Sequence, residues 1–217
     1  TIYYPNKIKQ IIGRLNTQNL PEKDEREAVE TITELIEYYK GIFTILSSCA
    51  ARQLEEVTFR RNTIPVQELF DAAGKYFRKV TKNRTEKVEL IIEPMDAKVI
   101  GDVNQLRFLF ENLIDEALAV REEGVIRLQA RKDNEYIRFL FTDTRREKSV
   151  TELNQLFYPN LARMTSGEKG ELRGTEYLIC KQIIRDHDEF AGRRGCRINA
   201  EPAEGGGFTV YFTIPRR

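Results

Sequence analysis

The chain has 217 residues, 32% of them charged and 41% apolar, with a formal net charge of +1. This composition can bury one large core or a small and a mid-sized one, and it excludes a disordered chain. The signs are interspersed, without the basic excess of a nucleic-acid surface, and no apolar run approaches the ~20 residues of a membrane span. Cys49, Cys180 and Cys196 lie far apart with no C-x-x-C pair. That argues against a disulfide framework or a zinc site and fits small buried residues in a reducing compartment. No signal peptide opens the chain. It begins with Thr1 rather than Met, so the expectation is a piece cut from a longer protein, with any sensor or membrane part ahead of it.

In chain order, Ile8, Ile11, Ile12 and Leu15 fall on one face of a first helix over 6–16, which Pro5 can open. After a polar break, residues 24–61 read as one long helix. Val29, Ile32, Leu35, Tyr39, Ile42, Leu46, Ala50, Leu54 and Val57 form a seam close to a 3.5-residue period over about four heptads, suited to a partner helix or a second subunit. Residues 62–65 (NTIP) break it. Residues 66–82 are helical again, with Leu69, Phe70, Ala73, Phe77 and Val80 on one face. Strands are expected at 88–93 and 97–100 around a Glu-Pro turn, and a helix over 103–121 capped by Asp102. A hairpin follows at 125–130 and 136–142, then a polar stretch over 145–173. A helix over 174–187 and strands at 196–200 and 208–213 complete the chain. The fold class implied is α+β: a helical hairpin over 1–62, then an α/β sandwich over 63–217 in which helices cover one face of a mixed sheet.

The chemistry-bearing residues lie at the junctions of these elements. Asn112 and Glu116 are four apart and share a helix face. Asp143 ends a strand in F-T-D-T-R-R. Phe157 stands before the polar loop, and Gly174-Thr175-Glu176 opens the last long helix. In this order, with G-G-G-F-T-V-Y-F-T-I-P at the end, the series resembles the ATP-binding domain of two-component sensor histidine kinases over residues 63–215. Residues 5–61 look like that family's dimerisation and phosphoacceptor hairpin.

The resemblance implies a role for each matched position. Its first motif, D-x-x-x-L-x-x-x-x-x-N-L-x-x-N-A, is met by Asp102, Leu106, Asn112, Leu113 and Ala117. Glu116 replaces the second Asn, which holds Mg²⁺, so Asn112 and Glu116 are the implied metal and phosphate contacts. Asp143 matches the Asp of D-x-G-x-G, which accepts from the adenine amino group. Arg145 replaces the first glycine, where it must swing clear or grip phosphate. Phe157 matches the Phe before the lid, and Gly174 and Thr175 the phosphate-facing helix start. Glu176 replaces the second glycine there, and a carboxylate repels phosphate. Gly205, Gly207, Phe212 and Pro215 match the closing structural pattern. The acceptor histidine is expected just upstream of Thr1, leaving no catalytic residue within the chain. The sole histidine, His187, is read as structural and charged against a helix C-terminus, and Arg193-Arg194 as a solvated turn.

The implied activity is that of a sensor kinase core binding ATP and Mg²⁺. It would be a homodimer through its N-terminal helices and cytoplasmic, with a response regulator as partner and no contact to nucleic acid or membrane. The alternative is a degenerate module that keeps the fold and the dimer but binds ATP weakly or not at all. The arginines at 145–146 and Glu176 favour that alternative.

Overall fold

The computed structural model describes residues 59–158 and 175–217, together with Ile12, Ala28, Val29 and Ile32, each of which is helical. The expected N-terminal hairpin otherwise lies outside the described residues, as do Cys49 and Gly174. Residues 59–61 are not helical, so the long helix does not extend to residue 61.

The chain-breaking NTIP is itself a strand, β1 (Asn62–Pro65). It leads directly into α1 (Val66–Thr81), whose Leu69, Phe70, Ala73 and Phe77 are buried as their spacing requires. Strands β2 (Val88–Ile92) and β3 (Lys98–Gly101) flank the Glu-Pro turn but enter different sheets. β3 pairs antiparallel with β1, Ile64 opposite Val99, in a small two-stranded sheet. Helix α2 (Val103–Leu118) follows, three residues shorter than expected at its C-terminal end. Then come β4 (Gly124–Asp133) and β5 (Tyr136–Asp143). A short helix α3 (Val150–Gln155) interrupts the stretch read as loop, and α4 (Thr175–Phe190), β6 (Ile198–Pro202) and β7 (Phe208–Pro215) complete the described fold.

The main sheet has the order β2-β4-β5-β7-β6. β2 runs parallel to β4 and the remaining pairs are antiparallel, so the sheet is mixed. Period-2 alternation sends Ile126 and Leu128, Ile137, Phe139 and Phe141, and Phe208, Val210, Phe212 and Ile214 into the core. The helices bring Phe70, Leu109, Phe110, Leu113, Ile183 and Ile184 against them. The centre is aromatic. Phe139 and Phe212 stack at 4.9 Å, and Phe70 and Phe110 meet Phe139 edge-on at 6.0 and 5.8 Å. Each buried ring contributes about 1.5–3 kcal/mol. On the other face, Arg127, Arg131 and Arg138 are polar neighbours, with the Arg138 guanidinium 5.1 Å over Tyr211. Among the described residues no helix is long and apolar enough to cross a membrane.

Helix α2 positions everything that follows. Asp102 caps its N-terminus, accepting from the N–H groups of Asn104 (2.9 Å), Gln105 (3.1 Å) and Arg60 (2.9 Å). The Asp102 N–H in turn donates to Nε2 of His187 at 3.1 Å, while Nδ1 lies 2.8 Å from the carbonyl of Ile183. This pattern fits a neutral imidazole protonated on Nδ1. Burial lowers its pKa, outweighing the Ile183 carbonyl and the nearby Asp102 and Asp186. The expected charged imidazole is therefore corrected: His187 lies in the fourth turn of α4, fully buried, with Phe59 edge-on at 4.9 Å. Gly101 makes room for it, since a Cβ there would stand 2.8 Å from the ring.

Candidate functional site

The alternation that buries Ile137, Phe139 and Phe141 also carries Asp143 onto the core face of β5, where it is 1% exposed. A carboxylate in such a place must be fully hydrogen-bonded. Its partners are Arg145 and Arg146, two and three residues further along the chain. Oδ1 accepts from the Arg145 backbone N–H at 3.1 Å and from Arg145 Nε at 2.8 Å. Oδ2 accepts from Arg145 Nη2 at 2.9 Å and from Arg146 Nε at 3.1 Å. A carboxylate offers about four lone-pair sites, and here all are taken.

Arg145 does not swing clear of the corner but folds back into it, its side chain 1% exposed. Besides Asp143, its guanidinium donates to the carbonyls of Ala117 (2.7 Å) and Glu122 (3.1 Å). It therefore also neutralises the C-terminal turn of α2, which has no basic residue of its own. Arg84 does the same from another side, donating to Leu118 O at 2.6 Å and Val120 O at 3.0 Å. Two glycines make this packing possible. Gly124 stands two residues before Ile126, the last β4 partner of β5, and lies against the Arg145 side chain just past the end of the β4–β5 ladder. Its φ is +136°, and a Cβ there would lie 2.8 Å from Arg145 Cγ. Gly207, at φ +83°, lets the turn before β7 lie against the backbone of Asp143 and Thr144.

The other sequence-predicted residues lie on α2, just after α3 and at the start of α4. Asn112 and Glu116 are buried on α2, 6% and 7% exposed, and Asn112 Nδ2 donates to Phe108 O at 2.6 Å. Phe157 follows the end of α3, buried and edge-on to Tyr177 at 5.7 Å. Thr175 is the first residue of α4. Among the described residues no group of three or more His, Cys, Asp or Glu side chains could hold a metal ion. The oxygens of Asn112 and Glu116 are nevertheless hard donors of the kind magnesium takes.

The sequence assigns Arg146 no ligand-binding role and does not single out Tyr177. Arg146 is 13% exposed, and its Nη2 is buried with no hydrogen-bond partner. Tyr177 is buried, and its hydroxyl pKa is pushed well up by burial and by the charges of Glu116 and Asp143, against the lowering effect of Arg146. Glu116, Asp143, Arg146 and Tyr177 thus share one electrostatic neighbourhood. The signal for Arg146 is the Arg-Arg pair that follows Asp143 after one residue, Thr144. Elsewhere the two described cysteines and the second arginine pair behave as read: Cys180 and Cys196 are buried free thiols with pKa values raised by burial. Arg193 and Arg194 sit in an exposed turn, against Glu135 and Asp188.

Residues 101–217 match the family model described as histidine kinase-, DNA gyrase B-, and HSP90-like ATPase. No curated protein matches the chain in sequence. Among solved structures, a mycobacterial sensor histidine kinase, MprB, is 18% identical with a TM-score of 0.55, covering 73% of this chain and 99% of its own. The Acinetobacter baumannii histidine kinase AdeS is 12% identical with a TM-score of 0.54, covering 98% of this chain and 94% of its own. The histidine kinase ThkA, solved in complex with the response regulator TrrA, is 18% identical with a TM-score of 0.60, covering 99% of this chain and 58% of its own. At these identities the likeness is one of fold.

Proposed function

Because the chain belongs to the histidine kinase-, DNA gyrase B-, and HSP90-like ATPase family, we propose that it is the ATP-binding core of a sensor histidine kinase acting in two-component signalling. The observation that carries this reading is Asp143. A charged residue occupies a core-facing position at the end of β5 that packing alone would fill with an apolar side chain, beside the last turn of α2.

In this reading Asp143 accepts from the base amino group. Asn112 and Glu116 present oxygen donors to a phosphate-bound magnesium ion, and Gly174 and Thr175 take the phosphate-facing role that the family pattern gives these two positions. Bound ATP supplies the phosphoryl group. A receiver domain is the partner that takes it onward, as supported by a kinase of this fold, ThkA, being solved with a response regulator. The N-terminal helices form the homodimer, and the chain works in the cytoplasm. Calorimetric titration of the whole chain with Mg-ATP tests the reading: wild type binds, and Asp143→Asn weakens binding by about tenfold or more, the loss of a charged hydrogen-bond acceptor.

A second reading is favoured by the saturation of Asp143: a scaffold that keeps the fold and the dimer without using nucleotide. Under it, millimolar Mg-ATP gives no heat, and Asp143→Asn changes nothing in the titration.

A further inference from the structure

We propose that Arg145 is a resident internal ligand of this corner: its guanidinium holds the hydrogen-bonding sites on Asp143 that a purine amino group would need, and nucleotide enters only when that side chain rotates out. The inference rests on the reading of Asp143 as the base-recognising carboxylate, and it adds the regulation of that site.

Three observations carry it. The first is saturation: with four donors on Asp143, a fifth cannot be accepted until one leaves. Two of the four, Nε and Nη2, belong to the Arg145 side chain, so a single rotation frees one site on each carboxylate oxygen. The second is that Arg145 fills the corner as a bound group would. It is as buried as Asp143, and its remaining bonds go to the carbonyls of Ala117 and Glu122, which are fixed acceptors of the surrounding backbone. The third is the lane that admits it. Gly124 carries no side chain where a Cβ would meet Arg145 Cγ at 2.8 Å.

Arg146 makes the arrangement reversible. It stays on Oδ2 at 3.1 Å when Arg145 departs, so the buried carboxylate keeps a counter-charge. The exit leads past residues 121–123, all exposed. Apparent affinity for nucleotide is then the intrinsic affinity multiplied by the fraction of molecules in which Arg145 is out.

The test titrates Mg-ATP into the whole chain as wild type, Arg145→Gly and the double variant Asp143→Asn/Arg145→Gly. Arg145→Gly is expected to bind about tenfold or more tightly than wild type, and the double variant to lose that gain. Equal binding by wild type and Arg145→Gly, both folded, overturns the plug while leaving the nucleotide reading intact. No binding by either at millimolar Mg-ATP overturns both. Should Arg145→Gly fail to fold, the arginine Nε–H signals of nitrogen-labelled wild type decide the matter. Protection of the Arg145 Nε–H from exchange is expected without nucleotide and lost at saturating Mg-ATP. Protection that persists in the bound state, or no binding at all, overturns the proposal.

Discussion

Two buried aspartates mark the two ends of α2, and they are satisfied by different means. Asp102, at the N-terminal end, takes its hydrogen bonds from backbone N–H groups of Arg60, Asn104 and Gln105. Those donors are part of the chain path and cannot leave without unfolding it. Asp143, beside the C-terminal end, takes three of its four bonds from guanidinium groups on flexible stems. Both carboxylates are hydrogen-bonded through both oxygens, yet only the second can lose its side-chain donors without a change in the chain path. The lesson is that burial and hydrogen bonding do not by themselves distinguish a structural carboxylate from one able to take a ligand. The mobility of its donors does.

Substitutions at the two ends can break this comparison. The largest expected effect is from Asp143→Ala, which leaves two buried guanidinium groups without their counter-charge and should lower the unfolding free energy by about 3–5 kcal/mol. Urea denaturation reads it, at constant m-value. Asp102→Ala should cost less, about 1–2 kcal/mol, the loss of a helix cap whose donors partly reach solvent. Equal costs would mean that the two ends are built alike after all.

The smallest effect concerns the imidazole behind Asp102. His187 has a folded pKa lowered from its ordinary value of 6.5, with burial the main cause. Its unfolded form therefore takes up a proton first as the pH falls, and the stability it contributes is complete above 6.5 and declines below it. Thermal unfolding from about pH 7.5 to about pH 5.5 should show a decline of at most about 1.4 kcal/mol per pH unit, absent in His187→Gln. A flat wild-type profile would place that ring in water rather than in the core.

Much of this fold is legible in the sequence because α1, α2, β4 and β5 each carry one dominant period, and their apolar residues reach a single aromatic core. β1 is not legible. Four residues with only Ile64 buried are too short to show alternation, and the partner that makes them a strand lies at Lys98–Gly101. Helix α3 is hidden in a polar stretch with a single buried residue, Leu153, but it announces itself through a capping box: the Ser149 hydroxyl accepts from the Glu152 N–H, and the Glu152 carboxylate accepts from the Ser149 N–H. That signal was available and was passed over. At the site, the spacing of Asn112, Glu116 and Asp143 could be read along the chain. The direction taken by Arg145 could not, because it depends on the carbonyls of Ala117 and Glu122 and on the backbone angle of Gly124, which only the folded chain brings together.

Arg84 gives the opening of this corner its scale. By grasping the carbonyls of Leu118 and Val120, it works as an independent buckle on the tail of α2. When Arg145 lets go, two peptide oxygens, those of Ala117 and Glu122, are left to find water, and the coil behind them stays wound. Access to the carboxylate is thus uncoupled from the integrity of the helix that borders it, and a rearrangement the size of one side chain is enough to change what the cleft can hold.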